Sequence, residues 1–151
     1  MTLKEYKQKR NFKKTSEPKP LIKKLKSKKL IYVVQKHHAS HLHYDLRLEI
    51  KGVLKSWVIP KSPPTKKNVK RLAIQVEDHP LGYEKFSGII PKGQYGGGEV
   101  EIWDHGFYEL KEKNKKKIEI IIHGKKLKGH YVLIKTNYGS KPEKSWLFFK
   151  V

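Results

Sequence analysis

From His41 onward polar and apolar residues alternate. His41, His43, Asp45, Arg47 and Glu49 fall on one side of the chain, and Leu42, Tyr44, Leu46, Leu48 and Ile50 on the other. A period of two predicts a β-strand over residues 41–51 with one polar and one apolar face. Lys51-Gly52 reads as a hairpin turn, and residues 53–59 as the returning strand. Further strands are expected at 31–35, 71–77, 99–103, 107–110, 118–122, 129–136 and 145–150, which makes nine, punctuated by Gly- and Pro-rich turns such as 60–64 and 91–98. In the strand at 71–77 the alternation sets Leu72, Ile74 and Val76 against Arg71, Ala73, Gln75, Glu77 and then His79. Asp104-His105-Gly106 reads as the turn between two of the later strands, and a short helix is expected within residues 1–9.

Many short strands without a long helix predict an all-β fold, a small antiparallel β-barrel with a basic, extended or partly helical N-terminal arm. The expected division is an arm over residues 1–30 and a barrel over 31–151. Two polar, histidine-bearing strand faces have to meet, and a barrel with one open, crescent-shaped wall is expected to bring them together.

That polar face changes the picture from fold to chemistry. Four of the eight histidines lie between positions 37 and 43. Alternate residues on one strand face stand roughly 6.6 Å apart, so the His43 imidazole and the Asp45 carboxylate can lean onto one ion, with His37 folding back as a third ligand. Two imidazoles and a carboxylate suit a hydrolytic divalent-metal site. Arg47, one step further, is placed to hold an anion bound to that ion. The bland alternative is a solvated charged face, which would not gather His, Asp and Arg together. His38 and His41 are expected at the surface or behind the ligands.

Charge names the partner class. The chain has 151 residues and a net charge of +21, of which residues 1–30 carry +10 and the rest +11. Such an excess implies a polyanion, nucleic acid by default. There is no cysteine, so disulfides, Cys-ligated zinc and a Cys nucleophile are excluded. No signal-like or membrane-length apolar run is evident, and a soluble, cytoplasmic protein is expected. The glycine-rich stretch 91–98 lacks the Lys-Ser/Thr of a P-loop and reads as a wide hairpin. Trp57, Trp103 and Trp146 read as packing residues. Tyr83 and Tyr95 sit in loops, where they either meet nucleic acid or cap a core. No Ser-His-Asp ordering or nucleophile elbow is present.

Gln35-Lys36-His37 followed by His43-Tyr44-Asp45-Leu46-Arg47-Leu48-Glu49 resembles the 3′-phosphoesterase module of the bacterial DNA ligase D family and its stand-alone relatives. The resemblance continues through Leu54 to Lys61, Lys70 to Leu81, Phe86-Ser87-Gly88, Ile90 to Gly93, Tyr95-Gly96 and Trp103-Asp104, covering roughly residues 31–140. It implies a β-barrel enzyme that removes a 3′-terminal ribonucleoside and then the 3′-phosphate, leaving a 3′-hydroxyl for non-homologous end joining. It implies Mn2+ held by His37, His43 and Asp45, and Arg47 and His79 on the scissile phosphate. Gln35, Lys61, Arg71 and Tyr83 would be supporting catalytic residues. In the arm, Arg10-Asn11-Phe12, Thr15 and Glu17-Pro18 resemble a segment in which Arg10 and Glu17 would contribute; the family's Asp stands as Asn11 here. Expected partners are primer-template DNA or DNA/RNA 3′ ends and a separate ATP-dependent DNA ligase, with the protein a monomer off the membrane. The rival classes are a non-catalytic nucleic-acid-binding module and another metal-dependent nuclease or small-molecule phosphatase.

Overall fold

The alternation at 41–51 becomes strand β2 (Leu42–Ile50), which pairs antiparallel with β1 (Leu30–His38) on one side and β3 (Val53–Ile59) on the other. The computed structural model describes residues 3–12, 17 and 29–151. At the β2–β3 hairpin Lys51 and Gly52 have φ of 51° and 80°. Two left-handed residues give the turn whose twist matches that of the flanking strands, and Gly52 takes its place without strain. The chain continues as β4 (Lys70–Pro80), a 3-10 turn at Tyr83–Lys85, β5 (Gly88–Ile90), β6 (Gly98–Lys113), β7 (Lys117–His123), β8 (Lys128–Lys135) and β9 (Ser145–Lys150). A helix, α1 (Leu3–Gln8), precedes them. Among the described residues no helix is long and apolar enough to cross a membrane.

The strands follow the order β1-β2-β3-β4-β9-β8-β7-β6, and β6 returns to β1, so eight antiparallel strands close a barrel. β5 is an appendage on the start of β6. The expected open wall is therefore absent: β1 spends its two edges on β2 and β6 and leaves no gap. The inward residues include Leu46, Leu48, Trp57, Tyr108, Tyr131 and Phe148, each at most 1% exposed. Each such side chain contributes roughly 1.5–3 kcal/mol by burial. Trp57 and Trp146 pack edge to face there, as their place in strands suggested. An eight-stranded barrel is just wide enough for its own side chains. The interior is filled, and the polar face of β1 and β2 points outward.

A second apolar cluster roofs part of that outer face. Tyr6, Leu54, Leu81, Tyr83, Phe86, Ile90 and Val100 are all buried in it. A six-residue helix is too short to hold itself; Tyr6, fully buried, anchors α1 to the wall. The Pro18/Pro20 stretch and Thr15, read from sequence as parts of the arm, lie outside the described residues.

Two expectations about strands are corrected. Asp104-His105-Gly106 is no turn but the middle of the 16-residue β6. Asp104 is 2% exposed and accepts hydrogen bonds from the amides of Lys125, Lys126 and Leu127 and from the Tyr32 hydroxyl. It caps the β7–β8 turn, and a Cβ on Gly106 would strike the His123 carbonyl. In β4 the simple alternation breaks. Ser56 faces Val76 and Leu54 faces His79, so β4 holds one extra residue there. The bulge turns Glu77 and His79 toward the outer face, while Ala73, which shares the side of Arg71, lies in the core. Arg71 and His79 thus do not share a face.

Candidate active site

His37 and His43 are register partners on β1 and β2, and Gln35 is the partner of Asp45. Opposed residues of an antiparallel pair share a face, so four polar side chains stand in a square on the barrel wall. His37 Nδ1 lies 3.6 Å from one Asp45 oxygen and His43 Nε2 lies 3.4 Å from the other. The three ligand atoms all fall within 4.8 Å of one another. The far nitrogens decide the chemistry. His37 Nε2 donates to the Gly96 carbonyl at 2.6 Å, and His43 Nδ1 donates to the His41 carbonyl at 3.1 Å. A carbonyl can only accept, so in each neutral ring the nitrogen facing Asp45 carries a lone pair. Two lone pairs aimed at an anionic carboxylate are satisfied by a cation between them, and backbone carbonyls behind the imidazoles are the usual support of such ligands. The residues present fit a divalent ion with two N and one O donors.

Burial alone would raise the Asp45 carboxyl, but the imidazoles of His37 and His43 beside it and the charge of Arg47 hold it well below the usual carboxylate range. For His43 burial pulls the other way, yet the hydrogen bond to Asp45 and its charge raise the imidazole above its ordinary value.

Arg47 is 3% exposed and held on three sides. Its Nε donates to Gln35 at 2.6 Å, Nη1 donates to Ser56 Oγ at 2.9 Å, and Nη2 lies 3.5 Å from Asp45. Its guanidinium also lies over the Tyr83 ring, 4.9 Å from the centroid. Gln35 in turn donates to the carbonyls of Tyr83 and Phe86, which ties the 83–86 turn to the wall.

His79 is fully enclosed. Its Nδ1 donates to the Glu77 carbonyl at 3.0 Å, and its Nε2 accepts from Arg10 Nη2 at 3.1 Å. Burial, with the charges of Arg47 and Arg10, pushes the imidazole well below its ordinary range. Arg10 also donates to Glu17 at 2.7 Å and to Glu77 at 3.3 Å, and it lies over the Tyr6 ring. The Tyr83 hydroxyl donates to the same Glu17 oxygen at 2.6 Å. The arm therefore enters the site through Arg10 and Glu17. Asn11 is exposed and does not line the cavity.

These side chains surround a cavity of ≈ 210 Å³ lined by Arg10, His37, His43, Asp45, Arg47, Glu77, His79 and Tyr83, with Tyr95 and Gly96 at its border. Gln35 and Glu17 stand behind it, each bonded to an arginine that lines it. Lys61 and Arg71 are elsewhere: they line a separate concavity with Lys70 and Tyr138. His38 points to the opposite side from His37, 3.3 Å from Glu101. Reading the sequence for chemistry passed over Ser56, Glu77 and Gly96. Ser56 and Glu77 carry no motif, and their roles follow from the β4 bulge. The glycine-rich hairpin was visible, but not that Gly96 offers its carbonyl to His37.

A site that can gather a cation, two guanidiniums and a neutral imidazole over one small cavity suits a phosphate ester. Comparison with known proteins points the same way. Residues 35–135 match the family model described as the DNA Ligase D 3′-phosphoesterase domain. The chain is 46% identical over 154 residues to the multifunctional non-homologous end joining protein LigD of Pseudomonas aeruginosa, a match covering 98% of this chain and 18% of that protein. It is 43% identical over 136 residues to the multifunctional non-homologous end joining DNA repair protein LigD of Mycobacterium tuberculosis, covering 87% and 18%. For LigD of Mycolicibacterium smegmatis the identity is 40% over 153 residues, covering 94% and 19%. The chain spans less than a fifth of each of these relatives, and the matched part includes every residue of the His–His–Asp wall: this chain belongs to the DNA ligase D 3′-phosphoesterase domain family.

Proposed function

We propose that this protein is a metal-dependent phosphoesterase of nucleic-acid 3′ ends. It removes a 3′-terminal ribonucleoside, leaving a 3′-phosphate, and then hydrolyses that phosphate to leave a 3′-hydroxyl ready for repair ligation. The observation that carries this reading is the pair of imidazole lone pairs facing Asp45 beside a guanidinium fixed by Gln35 and Ser56. A divalent ion held by His37, His43 and Asp45, Mn2+ on the family resemblance, supplies Lewis-acid polarisation of the phosphoryl group when bound.

The chain's own residues do the rest. Arg47 offers the phosphate oxygens a planar donor whose position is set before substrate arrives, so little reorganisation is needed as charge develops. Arg10 adds a second cation to the lining of the cavity, carried in by the arm. His79 enters the reaction neutral. Its Nε2 accepts from Arg10, so the neutral ring holds that guanidinium over the cavity. The net hydrolysis adds water across a P–O bond; the terminal nucleoside leaves in the first reaction and inorganic phosphate in the second. Duplex DNA is held by the basic surface through its phosphates without base readout. The 3′-hydroxyl product is the substrate of an ATP-dependent DNA ligase.

A 5′-labelled primer annealed to a template, ending in either a ribonucleotide or a 3′-phosphate, tests this directly. The account expects stepwise conversion to the 3′-hydroxyl product at the terminus alone. Internal cleavage would make it another nuclease, and tight binding with no product would make it a binding module.

A further inference from the structure

Lys and Arg number 35 in this chain against 14 Asp and Glu, so its carboxylates have cations to draw on. Glu99 and Glu101, on alternate positions of β6, draw on none of them. Among the described residues Glu99 has no ion-pair partner and Glu101 has only His38. Lys36 is the register partner of Glu101, yet the two do not pair. Two like charges on one strand face repel each other unless something positive stands between them.

The seam that closes the barrel brings an imidazole to these carboxylates. His38 and Glu99 are register partners across β1 and β6, and Glu101 lies two residues along on the same side. The strands approach closely here: a Cβ on Gly98 would strike the His38 carbonyl. One ligand atom from each of His38, Glu99 and Glu101 lies within 4.8 Å of the others. His38 Nε2 stands 3.3 Å from a Glu101 oxygen, is closed off from solvent and makes no hydrogen bond. A charge-assisted hydrogen bond would be shorter, roughly 2.7–2.9 Å. Donor atoms around a tetrahedral ion with bonds of roughly 2.1 Å stand about 3.4 Å apart. The separation is therefore that of two ligands sharing an ion, and an ion gives the occluded nitrogen the partner it lacks.

We propose that His38, Glu99 and Glu101 form a second divalent-cation site, suited to Zn2+, back to back with the candidate active site. One imidazole and two carboxylates suit a borderline ion, and Zn2+ outranks Mn2+ at sites of N and O donors. The His38 and Glu101 side chains are 38% and 53% exposed, so water can complete the shell. His37 and His38 are consecutive in β1 and face opposite sides, so one strand carries a ligand of each site. The second ion touches no substrate. It clamps β1 to the start of β6, directly after the glycine-rich hairpin whose Gly96 carbonyl holds His37.

The test is calorimetric titration of Zn2+ into the full, untagged chain after its metal has been stripped by chelator. Four proteins are compared: wild type, His43→Ala, the double variant Glu99→Gln with Glu101→Gln, and the triple variant combining them. Wild type should bind two ions, His43→Ala and the double variant one each, and the triple variant none. Urea melts give a second reading, because an ion that binds only the native state stabilises it. Zn2+ should raise the unfolding midpoint of His43→Ala and leave that of the triple variant unmoved. Glu→Gln keeps the shape of the side chain, so loss of an ion is not loss of the fold. A double variant that binds as many ions as wild type overturns the second site. So does a wild type that binds one ion and loses it in His43→Ala, which leaves the candidate active site standing. One ion kept by His43→Ala and lost by the double variant supports the second site and removes His43 from the catalytic ligands. Absence of any Zn2+ binding overturns both.

Discussion

Arg10 and His79 meet at 3.1 Å although 69 residues separate them in sequence. Arginine cannot accept a hydrogen bond, so the His79 Nε2 that faces it carries a lone pair, and the proton sits on Nδ1 against the Glu77 carbonyl. The contact therefore sets the tautomer of a residue that the family resemblance places on the scissile phosphate.

The first prediction concerns pH. Burial and the charges of Arg47 and Arg10 lower the His79 midpoint, so the ring is already neutral throughout the neutral range. An alkaline loss of activity with a histidine-like midpoint near 6.5 should not originate from His79. Profiles of kcat/KM against pH at saturating Mn2+, for wild type and His79→Gln, check this: any alkaline limb should be common to both proteins, and His79→Gln should lower the rate throughout.

The same shift makes a stability prediction with a definite sign. A lowered folded pKa means that below roughly pH 6.5 the unfolded chain takes up a proton that the native ring refuses. The stabilisation is full above that value and is lost as pH falls toward the folded midpoint. Urea melts between pH 7.5 and 5 should show a steeper acid loss in wild type than in His79→Gln.

Metal binding should compete with a proton on His43. Because Asp45 raises the His43 midpoint against the effect of burial, acidification through that midpoint should weaken Mn2+ affinity and increase the protons released per ion bound. Calorimetric titration in buffers of different ionisation enthalpy measures both. An affinity independent of pH across this range would remove His43 from the ligand set.

Ser56→Ala should reduce turnover without touching the metal. The substitution leaves Arg47 Nη1 without its partner in a fully buried place, at a cost of about 1–3 kcal/mol. Mn2+ affinity should be unchanged, while kcat falls as the guanidinium loses its fixed orientation. Arg47→Lys, which keeps charge but not the planar fork, should lose more.

Removing the arm should impair chemistry as well as binding. Deleting residues 1–17 strips Tyr6 from the outer cluster and leaves Glu77 and His79 without Arg10. Turnover should fall even at saturating DNA, and the salt slope of binding should flatten. The milder Tyr6→Ala should cost about 3–5 kcal/mol, the range for large aromatic truncations; thermal melts read it out.

Much of this was legible beforehand because a strand's period fixes which residues share a face. His43, Asp45 and Arg47 needed only the alternation, and the all-β barrel needed only the succession of short strands. What was illegible depended on pairing between strands. The β4 bulge, which separates Arg71 from His79, is invisible without knowing that Leu54 and Ser56 oppose His79 and Val76. Asp104 looked like a turn residue, since Asp and Gly mark turns; its real task, capping the β7–β8 turn, is 21 to 23 residues away in sequence. The closed wall likewise rests on β1 meeting β6, a long-range pairing that no local pattern announces.

The central claim is that His37, His43 and Asp45 hold the ion that makes this a 3′-end phosphoesterase. The most direct measurement follows release of inorganic phosphate from a 3′-phosphorylated primer-template by wild type and His43→Ala, first in excess chelator and then with Mn2+ restored, alongside Mn2+ binding to each protein. The account predicts silence in chelator, recovery with Mn2+ for wild type alone, and loss of Mn2+ binding in His43→Ala. Undiminished phosphate release in chelator, or full recovery by His43→Ala, would contradict it.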